Sequence, residues 1–305
     1  DAAGGLWVGT LDGGVCYVRD GRVEPWPEPG VAAGLPVTSL LVDRSDRLWV
    51  GTAGQGVVCR EAGGALVRWT RDHGLPSQFI RTFREDAQGT MWAGTSGGLV
   101  RWAGGRLFSF TRRHGLLDEV ISQILDDGAG HLWLGTNQGV LRVTIESLER
   151  VASGRSAMQD VLALGTSDGL PGLECTGGYH PAGVRLRDGR LCFGTVAGLA
   201  MIDPQVFAPR NETPPVVIES IFPPGGPFMN GEGSAVVVPS GADARLGFQF
   251  TALSFLAPGR VRFQCRLDGL DAGWVDAGGE RSMAYAPLSP GAYRFEVRAS
   301  ADGGP

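Results

Sequence analysis

The chain has 305 residues, 43% of them hydrophobic and 19% charged, with 49 glycines and a net charge of −5. That mix suits many short strands joined by tight turns, and it offers no electrostatic pull toward nucleic acid or an anionic membrane surface. All 27 basic residues are arginine, which excludes a Walker A loop, a Schiff base and a Ser-x-x-Lys pair.

In chain order, the first element is Leu6-Trp7-Val8-Gly9-Thr10, and it returns. Copies follow at Leu48–Thr52, Met91–Thr95 and Leu132–Thr136, with a worn one at Leu191–Thr195. The intervals are 42, 43 and 41 residues, then 59. A period of roughly 40–45 residues is that of a four-stranded propeller blade. In the second copy, strands are expected over Thr38–Asp43, Arg47–Gly51, Val57–Arg60 and Leu66–Thr70, split by glycine and aspartate turns. The third copy repeats them at Phe79–Glu85, Thr90–Gly94, Leu99–Ala103 and Leu107–Thr111. The repeated Trp reads as packing against the next blade. Asp43, Asp46, Asp86, Asp126 and Asp127 recur at the first hairpins and read as turn caps.

Between blades lie Ala33-Gly34-Leu35-Pro36, His73-Gly74-Leu75-Pro76, His114-Gly115-Leu116-Leu117 and Asp168-Gly169-Leu170-Pro171. Here Gly supplies a positive φ and Leu plugs the space between blades. The polar stretch from Ile145 to Met158 reads as an insertion of one helical turn, before a strand resumes at Val161–Leu164. The stretch Glu174 to Pro181, containing Tyr179 and His180, departs most from the repeat.

Beyond about residue 208, alternating strands punctuated by Asp-Gly, Ala-Gly and Pro-Gly describe a small sandwich over 209–305. In Tyr293–Ala299, apolar and charged residues alternate, as in a strand with one buried face. Five cysteines occur, an odd number without Cys-x-x-Cys, so neither a zinc site nor a disulfide framework is indicated. Cys192 and Cys265 sit in apolar strand patterns and are expected as small core residues. No apolar run reaches the roughly 18 residues of a membrane span. Both ends read as cut from something longer.

These residues resemble the two-component regulator propeller family. Asp127-Gly128-Ala129-Gly130-His131-Leu132-Trp133-Leu134-Gly135-Thr136 and Gly97-Gly98-Leu99-Val100-Arg101-Trp102 carry the resemblance over residues 1–208. The tail, with Val261–Asp271, Gly273-Trp274, Tyr285 and Pro290–Ala299, is similar to the triple-tyrosine domain that follows such propellers in hybrid sensor kinases. Cys265 stands where that family's first Tyr usually is. The fold implied is all-β: five propeller blade units, the first and last incomplete and belonging to a larger propeller, then an immunoglobulin-like sandwich. The function implied is the periplasmic, ligand-sensing region of a receptor. Its ligand would be an oligosaccharide, and its signal would pass through a homodimer to a histidine kinase. Any membrane helix would lie outside this chain, and the chain itself would carry no enzyme activity, cofactor or metal. A propeller lyase or glycosidase and a protein-interaction scaffold are the alternatives.

In a propeller, the loops entering the inner strands open on one face around the channel. The ligand-binding candidates on those loops are Gln78, Arg81, Asp118, Glu119, Gln123, Glu174, Tyr179 and His180. His73, His114 and His131 read as linker and turn residues. No sequence pattern for hydrolytic, metal-dependent or dinucleotide chemistry appears.

Overall fold

The computed structural model describes residues 4–26, 34–155, 158, 161–177, 181–207, 215–222, 246–252, 261–285 and 288–300. They fall into two compact units, Asp1–Val206 and Phe207–Pro305.

Unit one is a series of antiparallel sheets, each made of consecutive strands. The first holds β1 (Leu6–Thr10), β2 (Gly14–Arg19) and β3 (Arg22–Pro25). The second holds β4 (Val37–Val42), β5 (Leu48–Thr52), β6 (Val57–Arg60) and β7 (Leu66–Trp69). The third holds β8 (Ile80–Glu85), β9 (Met91–Thr95), β10 (Gly98–Ala103) and β11 (Arg106–Phe110). The fourth holds β12 (Ile121–Asp126), β13 (His131–Thr136), β14 (Gly139–Thr144) and β15 (Leu162–Leu164), with α1 (Ile145–Ala152) inserted before β15. The fifth holds β16 (Gly183–Arg185), β17 (Leu191–Thr195) and β18 (Gly198–Ile202). The inner strands β4, β8, β12 and β16 meet in series, so the sheets stack side by side as propeller blades. Among the described residues, the first blade has no inner strand and the fifth no outer one.

The repeated Trp explains the stacking. Trp49 lies 6.2 Å from Phe83 and 5.3 Å from Trp102, both on the third blade. Trp92 is fully buried in a cluster with Leu132 and Leu134 of the fourth. Leu35, Leu75 and Leu116 of the linkers fill the same inter-blade cores.

Three of the linkers each contain a single 3-10 turn closed by a local bond. The backbone N–H of Thr70 donates to His73 Nδ1 at 3.2 Å, and that of Thr111 to His114 Nδ1 at 3.1 Å. In the next linker, Gly165 N–H donates to Asp168 Oδ2 at 2.9 Å. His or Asp can therefore serve at this position, because each offers an acceptor three residues on. The following glycine has φ between 91° and 94° in all three, a conformation that a Cβ disfavours.

The hairpin aspartates do more than cap turns. Asp43 Oδ2 accepts from Trp49 Nε1 at 2.8 Å, Asp86 Oδ2 from Trp92 Nε1 at 2.8 Å, and Asp127 Oδ2 from Trp133 Nε1 at 3.0 Å. The other oxygen of each takes backbone N–H groups of its own turn. This buried acceptor is what lets an indole N–H enter the core without an orphaned donor. Asp46 takes a positive φ of 56° within its turn, and Asp126 caps Gly128.

Burial alone would raise the Asp127 carboxyl. The hydrogen bonds from His131, Trp133 and Ala129 outweigh that and hold it down at about 2. A folded value below the unfolded one means stability that is present above about pH 4 and lost as pH falls through about 2. The shift corresponds to about 2 kcal/mol. Urea unfolding should therefore find Asp127→Asn weaker than the parent by about that amount at pH 6, with the gap closing toward pH 2. A gap independent of pH would show that the carboxylate charge is not what matters.

Two expectations need correction. The insertion forms α1, an eight-residue helix rather than one turn. Thr144 Oγ1 caps it by accepting the Ser147 N–H at 3.1 Å, and Ser147, Leu148 and Val151 bury one face. Cys192 is only half-buried. It lies in a cross-strand row with Val184 and Met201, which are 52% and 57% exposed.

Unit two is a β-sandwich. One sheet orders β19 (Val216–Phe222), β20 (Leu246–Ala252) and β23 (Ser282–Tyr285). The other orders β22 (Val275–Gly278), β21 (Arg262–Asp268) and β24 (Arg294–Ser300). Phe248, Phe250, Phe263, Cys265, Leu267, Tyr285 and Ala299 make the core between them. Phe295 of β24 stacks on Phe248 with centroids 3.8 Å apart. Tyr285 keeps its hydroxyl in the sandwich by donating to Asp271 Oδ2 at 3.1 Å, an oxygen that also accepts the Leu267 N–H at 2.7 Å. Cys265 is fully buried, and burial, reinforced by Asp271, pushes its thiol up to about 11. It behaves as a small apolar side chain.

Candidate functional site

Every complete blade carries a β-bulge at the same place on its inner strand. Val37 pairs with Thr52 and Ser39 with Gly51, leaving Thr38 extra. Ile80 pairs with Thr95 and Thr82 with Gly94, leaving Arg81 extra. Ile121 pairs with Thr136 and Gln123 with Gly135, leaving Ser122 extra. A bulge frees one residue from the ladder and aims its side chain away from the regular pleat.

The fifth blade enlarges this bulge. Cys175 bridges to Thr195, as Ile121 does to Thr136. Gly194 then bonds on both sides: its carbonyl accepts the Thr176 N–H at 2.9 Å and its N–H donates to Ala182 O at 3.0 Å. Where the other blades carry one residue between the paired positions, this one carries the six of 176–181, here called the excursion, of which 178–180 lie outside the described residues.

Bulge residues of other blades hold both ends of it. Arg81, on the third blade, reaches to the fifth: its Nη1 donates to Gly177 O at 2.9 Å and its Nε to Ser96 Oγ at 2.9 Å. Ser122 packs directly against Gly177, where a Cβ would stand 2.4 Å from the Ser122 Cβ. Only glycine lets the two backbones approach this closely. At the other end, Gln123 Oε1 accepts the Ala182 N–H at 3.1 Å. The arrangement is a loop pinned by a cation and an amide to the inner strands, at the place where propeller channels open.

Of the sequence candidates, the structure brings Arg81 and Gln123 together on this loop. Gln78, Asp118 and Glu119 lie instead in the linkers, where Asp118 and Glu119 bond backbone N–H groups of their own linker and Gln78 reaches back to a hairpin turn of the preceding blade. Gln78 Nε2 donates to Gly54 O at 3.2 Å. Asp118 Oδ1 accepts the Val120 N–H at 3.2 Å, as Ser77 Oγ accepts that of Phe79. Glu119 Oε1 accepts the Arg112 N–H at 2.9 Å. Asp118 is buried, and its Oδ2 has no partner among the described residues. Glu174 is exposed at the entry to the excursion. Tyr179 and His180 lie outside the described residues. Thr38, Ser96 and Ser122 were not among the sequence candidates. Thr38 Oγ1 donates to Ile80 O of the next blade at 2.5 Å, and Ser122 Oγ to Gly135 O at 3.0 Å. For Thr38 and Ser122 the available signal was the position inside the repeat, one residue after Val37 or Ile121; Ser96, after Thr95, carried no such signal. Among the described residues, no group of three or more His, Cys, Asp or Glu could hold a metal ion.

The profile of the Two component regulator propeller family matches residues 33–54, 74–97 and 115–138, and that of the Y_Y_Y domain matches residues 254–305. No curated protein matches the chain. Among solved structures, the chain is similar to the extracellular domain assigned to hybrid two component system BT3049 from B. thetaiotaomicron. The identity is 20% and the TM-score 0.64, over 100% of this chain and 47% of that one. It is also similar to the extracellular domain assigned to hybrid two component system BT4673 from B. thetaiotaomicron, at 15% identity and TM-score 0.50, over 99% and 41%. Virginiamycin B lyase from Staphylococcus aureus matches at 14% identity and TM-score 0.50, over 83% and 78%. The chain thus spans less than half the length of the two extracellular domains.

Proposed function

We propose that this chain, built of two component regulator propeller repeats followed by a Y_Y_Y domain, is the extracytoplasmic sensing region of a bacterial two-component receptor. The observation that carries the reading is the succession of the two modules on one chain. Each module alone is a scaffold that hosts many functions. In this reading the region stands in the periplasm, binds an oligosaccharide and has no catalysis of its own. It forms a homodimer, and a histidine kinase elsewhere in the receptor reads the dimer's geometry. A ligand biases such a pair only by its differential affinity for two arrangements.

The bulge ring is where that ligand is expected to act. Contact with the excursion 176–181 would reach Arg81 and Gln123 directly, and through them the inner strands of the third and fourth blades. Calorimetry against a panel of oligosaccharides tests this. A binder should emerge, and Arg81→Ala should weaken it roughly tenfold, the worth of one charged hydrogen bond. Absence of binding across a broad panel would sink the oligosaccharide reading. Unchanged affinity in Arg81→Ala would move the site elsewhere.

A further inference from the structure

Among the described blades, only the fourth carries an α-helix, and the helix reshapes the rim it shares with the third. Arg101 of β10 clamps Glu149 of α1 through Nε at 2.6 Å and Nη2 at 2.5 Å. Beyond the helix, Met158 N–H donates to His114 O at 3.2 Å. Between the last turn of α1 and the 3-10 linker lies an open cavity of about 660 Å³, whose walls include Phe108, Arg113, His114, Val151, Ala152 and Arg155. That volume lies within the usual range for small-molecule sites, roughly 300–1,000 Å³.

The lining has an uneven chemistry. Among the described residues it presents two guanidinium groups and an imidazole and no carboxylate, in a chain with 32 acidic and 27 basic residues. Arg113 and Arg155 are exposed, and neither guanidinium has an ion pair or hydrogen bond among the described residues. His114 Nδ1 is occupied as an acceptor from Thr111, so the neutral ring carries its proton on Nε2 as a donor. Edge-on contact with Phe108, centroids 5.3 Å apart, fixes the ring's attitude. Phe108, Val151 and Ala152 supply an apolar wall. The end of a helix carries partial negative charge, which would oppose an anion. Here that charge is blunted, because the N–H groups of Ser153, Gly154 and Arg155 bond the carbonyls of Glu149, Val151 and Arg150.

We propose that this cavity binds a small organic anion, its carboxylate held by Arg113 and Arg155 and its ring laid against Phe108. Arginine suits this task because its fork matches a carboxylate's two oxygens. The site uses different elements from the excursion 176–181 and stands or falls separately from the sensing role proposed above.

Titration calorimetry with benzoate, benzamide and inorganic sulfate provides the test. Benzoate should bind saturably, and Arg113→Ala combined with Arg155→Ala should weaken it by at least roughly tenfold. Both arginines are exposed, and an unchanged melting temperature would verify that the variant folds. Exposed Arg187→Ala and the loop-pinning Arg81→Ala should leave benzoate affinity as it was, which separates this site from the bulge ring. No saturable benzoate binding, equal binding of benzamide or of sulfate, or full affinity in the double variant would each overturn the proposal.

Discussion

Trp92→Ala is expected to destabilise the propeller unit by about 3–5 kcal/mol, the usual cost of truncating a buried aromatic residue. The site leaves no room for a cheaper outcome. Trp92 has no exposed surface and packs among residues of two blades, with Phe110 6.1 Å away and Leu132 and Leu134 across the interface. Its removal opens a cavity there and also strips a donor from Asp86, which is 1% exposed. Asp86 Oδ1 would keep its bonds from the N–H groups of Gln88 and Thr90, at 3.0 and 2.9 Å, while Oδ2 would be left unpaired. Trp92→Phe separates the two losses. It retains most of the apolar volume and loses the indole N–H, so its cost should be nearer 1–3 kcal/mol, that of one unsatisfied buried acceptor. Urea unfolding followed by circular dichroism measures both. A cost below about 1 kcal/mol for Trp92→Ala would mean that blades are not held together by this residue.

The fifth blade makes the same argument from sequence. Its second strand has Cys192 in place of Trp, and the position six residues earlier is Leu186 rather than Asp. Donor and acceptor have gone together. Loss of both partners is cheap, whereas loss of one leaves a buried polar group unsatisfied.

That pairing also shows what the sequence reveals and what it hides. The blades are legible because each repeats the same short words, and the strand limits follow from them to within about a residue. The linker glycines and leucines are legible for the same reason: one needs a left-handed backbone, the other an apolar slot. The Asp-to-Trp bond was hidden behind the simpler idea of a turn cap, although the six-residue spacing is constant at Asp43, Asp86 and Asp127. Cys192 looked like core because its strand is apolar, but burial depends on a neighbouring face that lies elsewhere in the chain. Polarity is an ambiguous signal in the linkers too. Asp118 and Glu119 look available for a ligand, yet a side chain that closes its own loop has the same composition as one that faces solvent. The excursion 176–181 was visible as an irregularity. Its anchoring by Arg81, 96 residues away from Gly177, was not, because nothing local in either segment encodes that contact.

Gly98→Ala and Gly198→Ala occupy the same place in two blades and should differ widely in cost. Both glycines open the third strand, with φ of 144° and 134°, so alanine meets similar backbone strain at each. That strain alone is worth about 1–2 kcal/mol. At Gly98 a Cβ would also stand 2.3 Å from Phe110 O on the outer strand β11, and at Gly139 the equivalent distance is 2.0 Å, to Leu164 O on β15. A backbone carbonyl in a paired strand cannot step aside as a side chain can, and such overpacking adds roughly 1–3 kcal/mol. At Gly198 an added Cβ would meet nothing within 4 Å among the described residues. Gly98→Ala is therefore expected to cost about 3–4 kcal/mol and Gly198→Ala about half as much. Equal costs would mean that strain, not the close approach of the outer strand, keeps glycine there. The pair also senses the edge of β18, where Leu199 and Met201 stand 72% and 57% exposed. A strand paired to β18 would bring a carbonyl over Gly198 as Phe110 O lies over Gly98. The cost of Gly198→Ala would then rise toward that of Gly98→Ala in any assembly that supplies such a strand, and comparing the two substitutions in the isolated chain and in that assembly reads out the added neighbour.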